Sequence, residues 1–61
     1  MIVTNPEELK IYIEPDANSE VLCVMPPLST LLMSGIGEEW IAVCTEFGAE
    51  GYCLKRNVLP R

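Results

Sequence analysis

Three thiols, Cys23, Cys44 and Cys53, are present without a single histidine in a chain of 61 residues. A serine or cysteine nucleophile needs a base within hydrogen-bond reach, and imidazole is the usual one. Those pairings cannot form here. Zinc asks for four ligands, commonly delivered by Cys-x-x-Cys knuckles, and cysteines at positions 23, 44 and 53 make no knuckle. They read instead as small hydrophobes of a core, reduced because an odd number cannot pair fully within one molecule. Two carboxylates flanking a sugar could cleave a glycosidic bond, but so small a domain encloses no sugar cleft, and Glu38-Glu39 reads as a turn. The expectation is a non-enzyme with no catalytic residue, no cofactor and no metal.

The aromatic residues are the better candidates for chemistry by contact. Trp40, Tyr52 and Tyr12 are amphipathic, with large contact area and a polar handle, the combination enriched at binding hot spots. They could line one shallow groove, or Trp40 could cap the open end of a small barrel. Phe47 sits between two turn residues, Glu46 and Gly48, and either anchors a partner or folds back over the barrel mouth. Glu14, Asp16, Glu38 and Glu39 would draw positive groups to the same face. Nine acidic against four basic residues give a net charge of −5. Nucleic acid is excluded as a partner because phosphate contact needs clustered Lys and Arg.

Turn signals divide the chain evenly, at 5–8, 14–20, 25–27, 34–39, 46–51 and 55–57. Between them lie short β-branched and apolar segments at 9–13, 21–25, 29–33, 40–45 and 51–54, the signature of a small sandwich or barrel. No window offers a helix longer than a turn. Period-two alternation turns Leu9, Ile11 and Ile13 inward, then Val21, Cys23 and Met25, then Leu31 and Met33. The prediction is an all-β, five-stranded barrel over 9–61, with residues 1–8 as an arm and room for one short 3-10 turn near 55–58. No apolar run is long enough to span a bilayer as a helix.

The last hairpin has two candidate registers. A two-residue turn at Gly48-Ala49 would set Cys44 opposite Cys53 and invite a disulfide. A five-residue loop over 46–50 sets Cys44 opposite Tyr52 and Val43 opposite Cys53. The second is favoured, because it turns Ile41, Val43 and Cys53 inward together and leaves Trp40, Ala42, Cys44 and Tyr52 on the other face.

From Leu9 to Leu59 the order of segments resembles the bacterial SH3-like (SH3b) domain family. Leu9, Ile11 and Pro15 match its opening, Ser19, Val21 and Leu22 the second segment, and Met25, Leu31 and Met33 the third. Trp40, Val43, Gly51, Tyr52, Cys53 and Leu59 match its closing hairpin and end. Tyr12 stands where a basic residue is common, Leu28 where a turn glycine is usual, and Val58 where a tyrosine is often found. The aromatic first loop that serves Pro-x-x-Pro ligands in eukaryotic relatives is missing. The resemblance implies a closed SH3-like barrel and a ligand drawn from cell-wall peptide or glycan.

The expected function is a non-catalytic binding module for a peptide, protein surface or cell-wall peptide or glycan. The alternative is a small acidic cytoplasmic protein that regulates or inhibits a partner by occupying its basic surface. A weak homodimer covering Leu22, Val24 and Leu32 is the third reading. The opening residues, MIVTNPEELK, show no secretory signal, which points to the cytoplasm for a whole chain and to the cell surface or exterior for a domain of a longer exported protein.

Overall fold

The computed structural model of the chain describes residues 1–60; Arg61, the last residue of the expected domain, lies outside them. Seven strands form in chain order: β1 (Ile2–Thr4), β2 (Leu9–Tyr12), β3 (Val21–Met25), β4 (Thr30–Ile36), β5 (Trp40–Cys44), β6 (Glu50–Leu54) and, after a 3-10 turn at Lys55–Asn57, β7 (Leu59–Pro60). They make one antiparallel sheet in the order β3-β2-β6-β5-β4-β1-β7. The all-β class and the 3-10 turn agree with the sequence reading.

Two architectural expectations are corrected. There are seven strands, not five, because Ile2–Thr4 pairs with β4 and Leu59–Pro60 pairs with β1. The N-terminal residues enter the sheet for a physical reason: Val3 is buried and faces Leu31 across the ladder. The sheet is also open instead of closed into a barrel, with β3 and β7 at its two ends. Pro26 and Pro27 follow β3 directly and cannot donate to a ladder. The chain then leaves toward β1, where the Leu28 N–H donates to the Asn5 carbonyl at 2.7 Å. β3 and β4 are therefore not neighbours.

One sheet face carries the core: Val3, Leu9, Ile11, Met25, Leu31, Ile41, Val43, Cys53 and Val58, with Cys23 and Met33 packed against it. Burying an aliphatic side chain of this kind stabilises a fold by about 1.5–3 kcal/mol, while Ile2, Leu22, Val24, Leu32 and Ile36 stay exposed on the remaining surface. Ile13 and Val21, expected inside, are exposed. Ile13 lies beyond the end of β2, and the β2–β3 register shifts between Ile11 and Tyr12, which releases both from strict alternation. β4 outlasts its expected end at Met33 by absorbing a second irregularity between Met33 and Gly35.

Two residues hold this frame together. Asn5, completely buried, donates from Nδ2 to the carbonyls of Glu7 and Pro26 at 2.8 Å each and accepts from the Ser29 N–H at Oδ1. It thereby fastens the 26–29 strap to β1. At Gly51, a Cβ would lie 2.6 Å from Ile11 Cγ2 and 2.7 Å from the Tyr12 carbonyl oxygen. Only glycine lets β2 cross β6 this closely, and that crossing brings Tyr12 opposite Tyr52.

Candidate functional site

The β5–β6 hairpin pairs Trp40 with Leu54, Ile41 with Cys53, Ala42 with Tyr52, Val43 with Gly51 and Cys44 with Glu50. Both expected registers are corrected by this pairing. The loop is three residues, 46–48: the Thr45 N–H donates to Ala49, the Gly48 N–H donates to Thr45, and Gly48 takes the left-handed φ of +86° that such a loop needs. The favoured register was off by two residues, so its parity is kept. Ile41, Val43 and Cys53 are buried, while Trp40, Ala42, Cys44 and Tyr52 lie half-buried on the opposite face.

Parity places the three amphipathic aromatics together. Tyr12 is the cross-strand partner of Tyr52, and Trp40 is one diagonal step away on β5. The Tyr12 and Trp40 rings meet at right angles with centroids 5.4 Å apart, within the range where edge-to-face pairs gain about 0.5–1.5 kcal/mol beyond burial. Tyr12 thus braces the indole from the β2 side.

A shallow groove of about 350 Å³ opens beside these rings, with Trp40, Ala42 and Tyr52 along its base. Its first wall is the end of β4 and the turn into β5, Gly35 through Glu39; its second is Pro15, from the loop after β2. The space exists because two facing positions are small: Gly35 pairs with Ala42, and a Cβ on Gly35 would stand 3.5 Å from that of Ala42. The turn itself is tight. The Gly37 N–H donates to the Trp40 carbonyl at 2.8 Å, and a Cβ on Gly37 would stand 2.8 Å from the same oxygen.

Acidic residues line one wall of this groove and neighbour the other in sequence. Glu38 and Glu39 line the first. Glu14 and Asp16 flank Pro15 in the second, in a loop fastened by Ser19 Oγ, which donates to the Glu14 and Asp16 carbonyls, and by the Asp16 carboxylate, which accepts from the Asn18 N–H. All four are exposed, and among the described residues none is in an ion pair. A second cleft of about 380 Å³ shares Glu38 and Glu39 and is completed by Leu54, Lys55 and Arg56.

Of the eight residues singled out from the sequence, Trp40, Tyr52, Glu38 and Glu39 line one groove, Tyr12 packs against Trp40, and Glu14 and Asp16 neighbour Pro15 of its second wall in sequence. Phe47 does not join them. It stands 89% exposed at the other end of the hairpin. Pro15, Gly35 and Ala42 were missed as lining residues; their signal, small or rigid residues facing aromatics, becomes readable only once the register is known.

The thiols lie outside the groove. Cys53 is fully buried, and burial pushes its pKa from 9.0 up to about 11, which keeps the thiol protonated and unreactive at neutral pH. Cys44 is half-buried and contacts the Thr45 carbonyl; all three cysteines are free. Among the described residues no cluster of three His, Cys, Asp or Glu could hold a metal ion, and no helix is long and apolar enough to cross a membrane. Leu22, Val24 and Leu32, the expected dimer face, are exposed.

Comparison with family models, with curated proteins and with solved structures returns no match, so the functional reading stands on the chain's own residues.

Proposed function

We propose that this chain is a non-catalytic binding module, related to bacterial SH3-like domains, that recognises a peptide or protein surface, with cell-wall peptide or glycan as the ligand its resemblance implies. One observation carries the proposal: Trp40 and Tyr52 line the same groove, beside Pro15 and beneath Glu38 and Glu39. Half-buried aromatics on a rigid floor supply contact area at low entropic cost. The groove is open, so single contacts are weak, and affinity grows when modules are tethered in series.

Titrating the labelled protein with muropeptides and with short peptides, and following amide and ring chemical shifts, tests this. Perturbations should cluster at Trp40, Tyr52 and Gly35 to Glu39. Shifts scattered over the surface, or none, would remove the proposal.

The alternative, an acidic regulator that occupies a partner's basic surface, is favoured by Glu38 and Glu39 at the groove, which make no ion pair among the described residues. Salt separates the two readings. Binding carried by exposed carboxylates weakens steeply as ionic strength rises, and stacking on the rings does not.

A further inference from the structure

We infer that the groove takes the ammonium or guanidinium head of one isolated basic side chain, carried by a segment that is otherwise neutral or acidic. This rests on the groove being the binding surface and names what it binds.

The first argument is the ring chemistry. The face of an indole carries negative potential and is the best aromatic partner for a cation. Tyr12 meets Trp40 at a right angle and leaves the rings as a braced corner, not a closed stack. Tyr52 adds a second ring along the base. The hydroxyl of a tyrosine and the N–H of an indole also tolerate the water that follows a charged head into an open site.

Charge complementarity is the second argument. Glu38 and Glu39 line the groove, Glu14 and Asp16 are the sequence neighbours of Pro15 in its second wall, and among the described residues none of the four carboxylates is in an ion pair. An anionic ligand would be repelled from this position. A neutral apolar one would leave the carboxylates unused.

The neighbouring cleft limits the ligand further. Leu54 is the cross-strand partner of Trp40, and beyond it Lys55 and Arg56 line the second cleft, which shares Glu38 and Glu39 with the first. A chain that seats one cation against Trp40 and continues past Leu54 brings its next residues to two positive charges. Within that cleft Lys55 and Arg56 offset Glu38 and Glu39, so a run of basic residues gains no net attraction there, and a neutral or acidic continuation is accepted. This separates the inferred ligand from a polycationic tail.

Trp40 is the only tryptophan, so its fluorescence reports the site directly. The probes are a blocked pentapeptide with lysine at the centre of four glycines, the same peptide with norleucine in place of lysine, and one with lysine at its three central positions. The lysine peptide should bind about fivefold tighter than the norleucine peptide at low salt, as expected for an exposed cation–π contact aided by carboxylates. Replacing both rim acids, Glu38→Gln with Glu39→Gln, should shrink that difference while circular dichroism stays unchanged, and an undiminished difference would overturn the part assigned to the carboxylates. The three-lysine peptide should bind no tighter than the single-lysine one. Equal affinity of the norleucine and lysine peptides would overturn the inference and leave a binding groove standing. Rising affinity with each added lysine would overturn the isolated-residue part. No fluorescence change with any probe, together with flat chemical shifts at Trp40 and Tyr52, would overturn both the inference and the proposed function.

Discussion

The β5–β6 hairpin holds exposed aromatic surface at both of its ends, in opposite circumstances. At the Trp40 end the ring is half-buried, braced by Tyr12 and set beside a concavity that Glu38 and Glu39 line. At the Phe47 end the ring projects 89% exposed from a well-tied turn, its N–H and that of Ala49 both donating to Thr45 Oγ1. Leu28, 76% exposed, lies at that same end of the β4–β5 pair, just ahead of the first residue of β4. The contrast teaches that exposed apolar area alone does not mark a site. What distinguishes the groove is support from three separate elements and a second kind of chemistry facing the rings.

The largest effect should come from the frame of the Phe47 end. Asn5→Ala leaves the Glu7 and Pro26 carbonyls and the Ser29 N–H without their buried partner, and should cost about 3 kcal/mol in urea unfolding. If the frame of that end matters only locally, the midpoint will hardly move.

Alkaline pH probes the core beneath the groove. The folded Cys53 thiol holds its proton up to about 11 against an ordinary 9.0, so the unfolded chain ionises first. The contribution of this thiol to stability should be intact below pH 9, fall by about 2.5 kcal/mol as pH rises through that window, and be missing in Cys53→Ala. Equal alkaline slopes in both proteins would show that the thiol is not sealed.

Next in size is the hinge of the aromatic end. Gly51→Ala pushes a Cβ into Ile11 and the Tyr12 carbonyl, and should cost about 2 kcal/mol, typical of overpacking. Because the push moves Tyr12, near-ultraviolet circular dichroism of Trp40 should change as well. A silent spectrum would mean that Tyr12 does not depend on the β2–β6 crossing.

A smaller effect, of opposite sign, belongs to Leu28. Its φ of 63° is left-handed, a conformation that disfavours side chains with a Cβ and suits glycine. Leu28→Gly should raise stability by about 1 kcal/mol, part of the relief being lost to the freer unfolded chain. Phe47→Ser should do least, within about 0.5 kcal/mol of wild type in stability, as for surface positions generally, and should leave peptide binding at the groove unchanged. A marked loss of binding in Phe47→Ser would reverse the ranking of the two ends.

Much of this was legible because period-two alternation survives errors of register. Shifting the β5–β6 pairing by two residues changes every partner and no face, so Trp40 and Tyr52 share a face in the expected register and in the observed one. The acids followed from their position in turns. Strand number was harder, since Ile2–Thr4 and Leu59–Pro60 have only three and two residues. Such lengths carry no periodic signal, and each forms only by pairing with a neighbour. Closure failed for a related reason. Whether β3 meets another strand depends on where Pro26, Pro27 and the left-handed Leu28 send the chain, which Asn5 decides from far away in sequence. Leu28 itself gives no sign in the sequence of the left-handed φ of 63° that it takes.

The central claim is that the Trp40 end, and not the Phe47 end, meets the ligand. Isotope-filtered nuclear Overhauser spectra on the protein with the single-lysine peptide test it most directly. Contacts are expected from the lysine methylenes to the rings of Trp40 and Tyr52, with none to Phe47. Contacts to the Phe47 ring, without any to the indole, would contradict it.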